Sequence, residues 1–256
     1  MARPAILVTG GATRIGAAIV RSFAAAGWHT VIHYRGSQHE ARALADQLPS
    51  AEIVACDLSD GDAAVAMVET LADRLPDWRV LVNSAAVFCP DAATGLDPVT
   101  NSEAMQVNAV TPTRMAQAYL ATATSSAGRC VIHVTDQKLE NPNPDFFSYT
   151  MSKHALDATI SMLAMGAAEE DDRVYGLAPG AILASYDQCE DETEVSHRLN
   201  LLKRRTSEDE VAKAAMFLAG RSLRSGETLF VDSGQHLLHQ NRDVIYLARE
   251  IMASTQ

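Results

Sequence analysis

Short runs that are apolar along their whole length alternate along this chain with longer stretches in which apolar residues recur at helical spacing. The short runs are AILVT (5–9), TVIHY (30–34), EIVAC (52–56), VLVNS (80–84), CVIHVT (130–135), RVYGLA (173–178) and TLFVD (228–232). A strand with one solvated face alternates apolar and polar residues, whereas a strand buried on both faces of a parallel sheet does not. The helical patterns occupy 15–26, 40–48, 62–75, 102–122, 149–168 and 207–219. Strict alternation of the two kinds predicts right-handed βαβ units. The fold class is therefore α/β: one doubly wound domain over 1–256, with a seven-stranded parallel sheet and helices on both faces. No repeat, low-complexity tract or linker interrupts it. The least regular stretch, 183–205, is polar and charged and follows the sixth strand. In such sheets ligands bind beyond the carboxyl ends of the strands, so this stretch is read as a substrate-loop insertion, with Leu183 facing the ligand. An apolar stripe of Val244, Ile245, Leu247 and Ile251 near the C-terminus suits docking on a neighbouring subunit.

Composition narrows the partners. The 256 residues are 47% hydrophobic and 5% aromatic, enough for one large core. A net charge of −11 repels nucleic acid and anionic membranes, so neither is expected as a partner, and an anionic small ligand needs a local basic site. Cys56, Cys89, Cys130 and Cys189 show no metal-ligand or redox spacing, which reads as small buried residues in a reducing compartment. No metal constellation is visible. MARPAILVTGG lacks the apolar core of a signal peptide, and no apolar run approaches the roughly 20 residues that span a bilayer. The expectation is a cytoplasmic protein.

The chemistry starts at TGGATRIG (9–16), where the first strand passes into the first helix. Glycines at such a turn let backbone approach a pyrophosphate, and the free N–H groups of the helix start hold its charge. Gly10, Arg14 and Ile15 are the candidate contacts, with Arg14 standing where a third close glycine would be expected and its guanidinium folded onto phosphate. The second strand ends in HYRGS (33–37). A cofactor with a free 2′-hydroxyl calls for a carboxylate there, and none is present. Arg35, flanked by Tyr34 and Ser37, suits a 2′-phosphate instead, so the domain is read as a Rossmann domain for NADPH rather than NADH. After the third strand, Asp57 with Leu58 offers either an acceptor for the adenine amino group or a cap for the next helix.

Tyr149 and Lys153 are spaced i, i+4 and share a helix face. An ammonium near a phenol favours its ionised form and tunes it for proton transfer. With TGGATRIG, NSAA (83–86), Asn108 in QVNAVTP, YTMSK, LAPG (177–180) and VDSG (231–234) in that order, the chain resembles the short-chain dehydrogenase/reductase family over its whole length. The resemblance implies hydride transfer in which Tyr149 donates or accepts the proton. Lys153 would bind the nicotinamide ribose and lower the tyrosine pKa, and Asn108 would hold a water of the proton relay. Asn83, Ser84, Ala85, Pro179 and Gly180 would contact the cofactor. NSAA departs from the commoner NNAG of that family.

A second departure is sharper. Most members carry a serine thirteen residues before the tyrosine, and this chain has Asp136. Thr135 could supply a hydroxyl, but adjacent strand residues point to opposite faces, so one of the two enters the site. An aspartate there resembles the pteridine reductases and dihydromonapterin reductases, as do the arginine-bearing turn, HYRGS and Phe88, which matches the position whose ring sandwiches a pterin. A pterin presents N–H donors along one edge for a carboxylate and a flat face for a phenyl ring. The reading is an NADPH-dependent reductase of a dihydropterin, with Asp136, Tyr149, Lys153 and Asn108 catalytic, and Phe88, Asp136, Tyr149 and Leu183 on the substrate. Two alternatives remain: a ketone reductase of the same fold acting on a 3-oxoacyl thioester or small carbonyl, and a nucleotide-sensing module without catalysis. The Ala- and Met-rich helices at 102–122 and 149–168 imply a homodimer or homotetramer, by the same resemblance.

Overall fold

In the computed structural model of the chain, residues 3–167, 169–185 and 187–255 are described. Seven strands form one sheet: β1 (Ala5–Thr9), β2 (His29–Tyr34), β3 (Ala51–Ala55), β4 (Trp78–Asn83), β5 (Cys130–Val134), β6 (Arg173–Pro179) and β7 (Thr228–Val231). Their order is β3-β2-β1-β4-β5-β6-β7, and every pairing is parallel. Chain direction across the sheet therefore reverses between β1 and β4, the place where a doubly wound sheet opens a crevice at its carboxyl edge. β1 and β5 are buried at every position, which is why they read as unbroken apolar runs.

Helices cover both faces. On one lie α1 (Arg14–Ala25), α2 (Gln38–Ala45) and α8 (Glu208–Ala219), whose Ile19, Phe23, Leu44, Val211 and Leu218 close over Ile6, Val8 and Ile132. On the other, α3 (Gly61–Arg74), α5 (Thr111–Thr122) and α6 (Phe147–Gly166) bury Leu71, Met115, Tyr119 and Ile160 against Leu7, Leu81 and Val131. Trp78 and Tyr119 meet at 4.7 Å within this second core. Each finds a polar partner as well: Trp78 Nε1 donates to the Val80 carbonyl and Tyr119 Oη to that of Trp78. No helix among the described residues is long and apolar enough to cross a membrane.

Several expectations shift at their edges. The pattern at 102–122 is not one uniform helix. It begins earlier, as α4 (Pro98–Met105), with Asp97 accepting the Thr100 N–H and proline in the first turn, and it passes through a π-helical turn at Gln106–Val110 before α5. The last residue of the 149–168 pattern, Ala168, and Tyr186 within 183–205 lie outside the described residues. The 183–205 segment contains a helix, α7 (Glu190–Ser196), opened by three acidic residues. The C-terminal stripe divides: on α9 (Val244–Thr255) Val244 and Ile245 are buried against their own chain, while Leu247 is half-buried and Ile251 exposed. Of the cysteines only Cys130 is buried, while Cys89 and Cys189 are exposed.

Two glycines fix the turn after β1. Gly10 has φ +63°. A Cβ on Gly16 would sit 2.2 Å from the Gly10 carbonyl oxygen, so the first turn of α1 rests directly on backbone. Gly16→Ala is expected to lower the unfolding free energy by about 2 kcal/mol or more, an overpacking penalty that the backbone cannot relieve by a rotamer change. Urea titration of the two proteins checks it.

Candidate active site

The crevice at the carboxyl edge of the sheet encloses about 520 Å³. Its nucleotide end is built by cross-strand bonds. Thr9 Oγ1 accepts the N–H groups of Ser84 and Ala85 at 2.9 and 3.0 Å, binding the end of β1 to the turn after β4. His33, buried near the end of β2, accepts the Gly10 N–H at Nδ1 (3.1 Å) and donates from Nε2 to the Cys56 carbonyl (3.1 Å). The pair of bonds requires the neutral ring with its proton on Nε2, and burial pulls the His33 pKa down to about 4. No side chain caps the start of α1, so its first N–H groups are left to a ligand or water.

Of the residues expected to hold a cofactor, Gly10, Arg14, Ile15, Arg35, Asp57, Leu58, Ser84, Ala85, Lys153, Pro179 and Gly180 line the crevice. Arg14 takes a left-handed conformation, φ 53°, and its guanidinium donates to the carbonyls of Ala184 (3.0 Å) and Leu183 (3.4 Å), tying the turn to the 183–205 segment. Arg35 is exposed at the end of β2, 3.9 Å from Glu103. Asp57 accepts the Ser59 N–H at 2.9 Å, which holds its carboxyl below the usual range, while the cap of α3 is Asp60. Three expected residues do not line the crevice. Tyr34 packs against the first apolar core, Ser37 stands at the start of α2, and Asn83 is buried with its amide donating to the Pro112 carbonyl.

At the reacting end, β5 delivers Thr135 and Asp136. Both line the crevice, against the expectation that one would: Thr135 spends its hydroxyl on the Leu177 carbonyl, and Asp136 presents its carboxyl to the cleft. Asp136 does two things at once: Oδ1 accepts the Lys138 N–H (2.9 Å), capping the short 3-10 turn Gln137–Leu139, and Oδ2 accepts the Tyr149 hydroxyl at 2.7 Å. The i, i+4 pair stands on α6 as the spacing requires. Lys153 Nζ donates to the Val134 carbonyl (2.7 Å) and sits 5.6 Å from the Tyr149 ring centroid. Burial lowers the Lys153 pKa to about 8. Burial raises the Asp136 carboxyl above its ordinary value, against the pull of Lys138, its N–H group, Tyr149 and Lys153.

Two expectations are corrected here. Tyr149 is not tuned downward: burial, then the charge of Asp136 and the hydrogen bond to it, push its pKa well above the usual phenol value. The phenol is thus a held proton donor. Nor does the Asn108 side chain face the cleft. It is buried in the π-helical turn, accepting the Val87 N–H (2.8 Å) and donating to the Val87 carbonyl (2.9 Å) and Ser152 Oγ (3.0 Å), which uses both of its N–H groups. It clamps the strand-end segment that carries Phe88.

Phe88 is half-buried, stacked on Phe146 at 4.1 Å and edge-on to Tyr149 at 4.6 Å. Phe146 has φ 53°, unusual for a large side chain, and immediately precedes α6. Asp91 holds that helix start by accepting the Ser148 N–H (2.9 Å) and hydroxyl. Leu183 and Tyr149 line the cleft as expected. Sequence reading missed Lys138 and Asp243, which also line it and form an ion pair at 2.8 Å. The lysine two residues after Asp136 was the available signal, and Asp243 gave none.

Comparison with known proteins finds relatives over most of the chain. A family model described as Enoyl-(Acyl carrier protein) reductase matches residues 10–236. Pteridine reductase 1 of Leishmania tarentolae is 26% identical, over 91% of this chain and 96% of the relative. Dihydromonapterin reductase of Citrobacter koseri is 28% identical over 91% and 96%. The crystal structure of FolM alternative dihydrofolate reductase 1 from Brucella canis, complexed with NADP, superposes with a TM-score of 0.86 at 32% identity, over 94% of this chain and 97% of that one.

The buried histidines yield a prediction. His33, His133 and His197 have folded pKa values near 4, 3 and 4 against an ordinary 6.5, each lowered chiefly by burial. Well above pH 6.5 all three are neutral in both states. As pH falls from 6.5 toward 4 the unfolded chain takes up their protons first, so stability must fall across that window. His33→Gln removes about one proton from the slope. Denaturant titrations between pH 4 and 7 should give a flatter curve for the variant; parallel curves would place a charged His33 in the native state.

Proposed function

The chain belongs to the short-chain dehydrogenase/reductase family, and from that premise we propose that it is an NADPH-dependent reductase of a dihydropterin-type substrate. The observation that carries the reading is the 2.7 Å contact between Tyr149 Oη and Asp136 Oδ2 inside the cleft. A ketone reductase develops an oxyanion beside this position, and a carboxylate there repels it. A pterin ring nitrogen that must gain a proton, on a ring edged with N–H groups, is served by the same carboxylate.

The residues present fit the cofactor. The uncapped start of α1, resting on Gly10 through Gly16, offers N–H groups to a pyrophosphate, and Arg35 offers a guanidinium to a 2′-phosphate. Asp57, Leu58, Ser84 and Ala85 would border the adenosine, and Lys153, Pro179 and Gly180 the nicotinamide ribose. Bound there, NADPH supplies the hydride. Tyr149 holds the proton that goes to the substrate nitrogen, and Asp136 shares and replenishes it. The face of Phe88 away from Phe146 would cover the pterin, with Leu183 closing from the insertion.

We extend the reading to setting and assembly. A homodimer or homotetramer through α4–α5 and α6 is supported by exposed Val110, Met162 and Met165. A cytoplasmic location is supported by four unpaired cysteines. Residues 1–256 act as one NADP-binding unit. The matched family model is described by an enoyl reduction, and fold alone does not set substrate.

The test is NADPH oxidation followed by absorbance with dihydromonapterin or dihydrobiopterin, against acetoacetyl thioesters. Pterin turnover is expected, and faster thioester reduction overturns the assignment. Asp136→Ser should lower pterin turnover by about tenfold or more with NADPH binding nearly intact. Arg35→Ser should cut the preference for NADPH over NADH by about tenfold or more, as loss of a guanidinium–phosphate contact requires.

A further inference from the structure

Beside the Asp136–Tyr149 contact lies a second buried charged pair. Lys138 Nζ is 2.8 Å from Asp243 Oδ2, with the two side chains 4% and 7% exposed, and it also donates to Asn143 Oδ1 at 2.9 Å. Burying two opposite charges carries a desolvation penalty that their attraction must first offset, so such a pair is weak ground for stability and calls for another role. Both residues line the cleft. Asp243 does not arrive there by accident of packing. Its N–H and the Arg242 guanidinium both donate to Asp145 Oδ2 at 2.8 Å, its Oδ1 accepts the Ile245 N–H, and the Gln240 N–H reaches Asn141 Oδ1. These bonds fasten the segment 240–245 to the β5–α6 connection, the loop that carries Asp136 and Lys138. Ile245 completes the arrangement by packing with Phe146 and Tyr149.

We propose that Lys138 and Asp243 are a positioning pair for the acid site: Asp243 holds the Lys138 ammonium back from Asp136, so the C-terminal segment sets how firmly Asp136 and Tyr149 keep their shared proton. The inference rests on the reading of Asp136 and Tyr149 as the proton-delivering groups. The charged and titratable groups facing Asp136 are Lys138 from its own turn, Tyr149 and Lys153 from α6, and Asp243, whose charge acts on Tyr149, from the C-terminal segment. Asp145, paired with Arg242, also faces Lys138, and His133 on β5 faces Lys153. Of the influences that favour an ionised Asp136, the charge of Lys138 is the largest. An ammonium shared between two carboxylates serves each less than it would serve one.

The pair's two members must therefore act in opposite directions. Asp243→Asn frees Lys138 for Asp136 and should move the Asp136 titration midpoint down. Lys138→Met should move it up, and the K138M/D243N double variant should return it toward the wild-type value. The readout is the carboxyl ¹³C resonance of Asp136 in ¹³C-aspartate-labelled full-length protein, assigned by its loss in Asp136→Asn. It needs no turnover, so it judges the pair even if no pterin is reduced. Where wild-type protein does reduce a dihydropterin, the alkaline limb of kcat/KM should shift with the resonance in each variant, and at a pH on that limb D243N should be about fivefold slower or more. Midpoints that stay put, or that move the same way in both single variants, overturn the proposal. So does a loss of kcat/KM equal at every pH, the signature of a merely structural pair. If K138M does not fold, D243N and the double variant decide by the same criteria.

Discussion

A phenol donates to a carboxyl group at 2.7 Å in the crevice at the carboxyl edge of the sheet, and most of the surrounding architecture serves to keep them there. Neither group would choose that environment alone, because burial penalises the charged form of each. Asp136 is retained through its neighbours: a backbone N–H, the Tyr149 hydroxyl and two lysines all favour its charge. The same hydrogen bond that steadies the carboxylate keeps Tyr149 protonated. Burial is the main cause of both upward shifts; the contact between them adds to the tyrosine shift and opposes that of the carboxyl.

The local backbone carries the cost of this placement. Phe146 adopts a left-handed conformation, a strain of roughly 1–3 kcal/mol for a non-glycine residue, immediately before the helix that bears Tyr149. Asp91 offsets it by bonding the helix start, and Phe146 in return stacks on Phe88 and so shapes the wall of the cleft. At the opposite end, the neutral His33 ties the Gly10 turn to the end of β3 through the Cys56 carbonyl. Both ends of the crevice are thus held by polar side chains bonded to backbone, the kind of support that keeps ligand-facing groups within tight tolerances.

Much of this was legible in the residue pattern because the physics that shapes a parallel sheet is local and repetitive. Strands packed between two helical layers are mostly apolar, so the seven runs stand out even with His33 and His133 buried among them, and the i, i+4 spacing of Tyr149 and Lys153 survives any error at helix ends. What escaped notice depends on contacts between distant segments. Asn108 looks like a polar residue available to a ligand until the π-helical turn swings its amide onto Val87. The stripe at Val244 and Ile245 has the periodicity of a docking face, and only tertiary packing reveals that Ile245 packs with Phe146 and Tyr149 of the same chain. Asp57 and Asp60 are interchangeable as helix caps on paper; the backbone path gives the cap to Asp60 and leaves Asp57 in the crevice.

The identity of residue 136 bears on reaction class more than any feature of the fold does. Reduction of a carbonyl places growing negative charge on oxygen, and an enzyme for it gains from donors and loses from a nearby carboxylate. Reduction at a carbon–nitrogen double bond leaves a nitrogen that needs a proton, and a carboxyl whose proton affinity has been raised by burial is suited to supply the donor's reserve. Replacing the usual serine by aspartate is therefore a change in the sign of the field at the reacting atoms, which a carbonyl reductase could accommodate only by keeping Asp136 protonated throughout its working range. Burial favours the protonated carboxyl while the charge and N–H of Lys138, the Tyr149 hydroxyl and Lys153 oppose it, a balance suited to a group that exchanges its proton rather than one that stays neutral. The arrangement makes chemical sense for a substrate whose accepting atom is basic, and loses that sense for one whose accepting atom becomes an alkoxide.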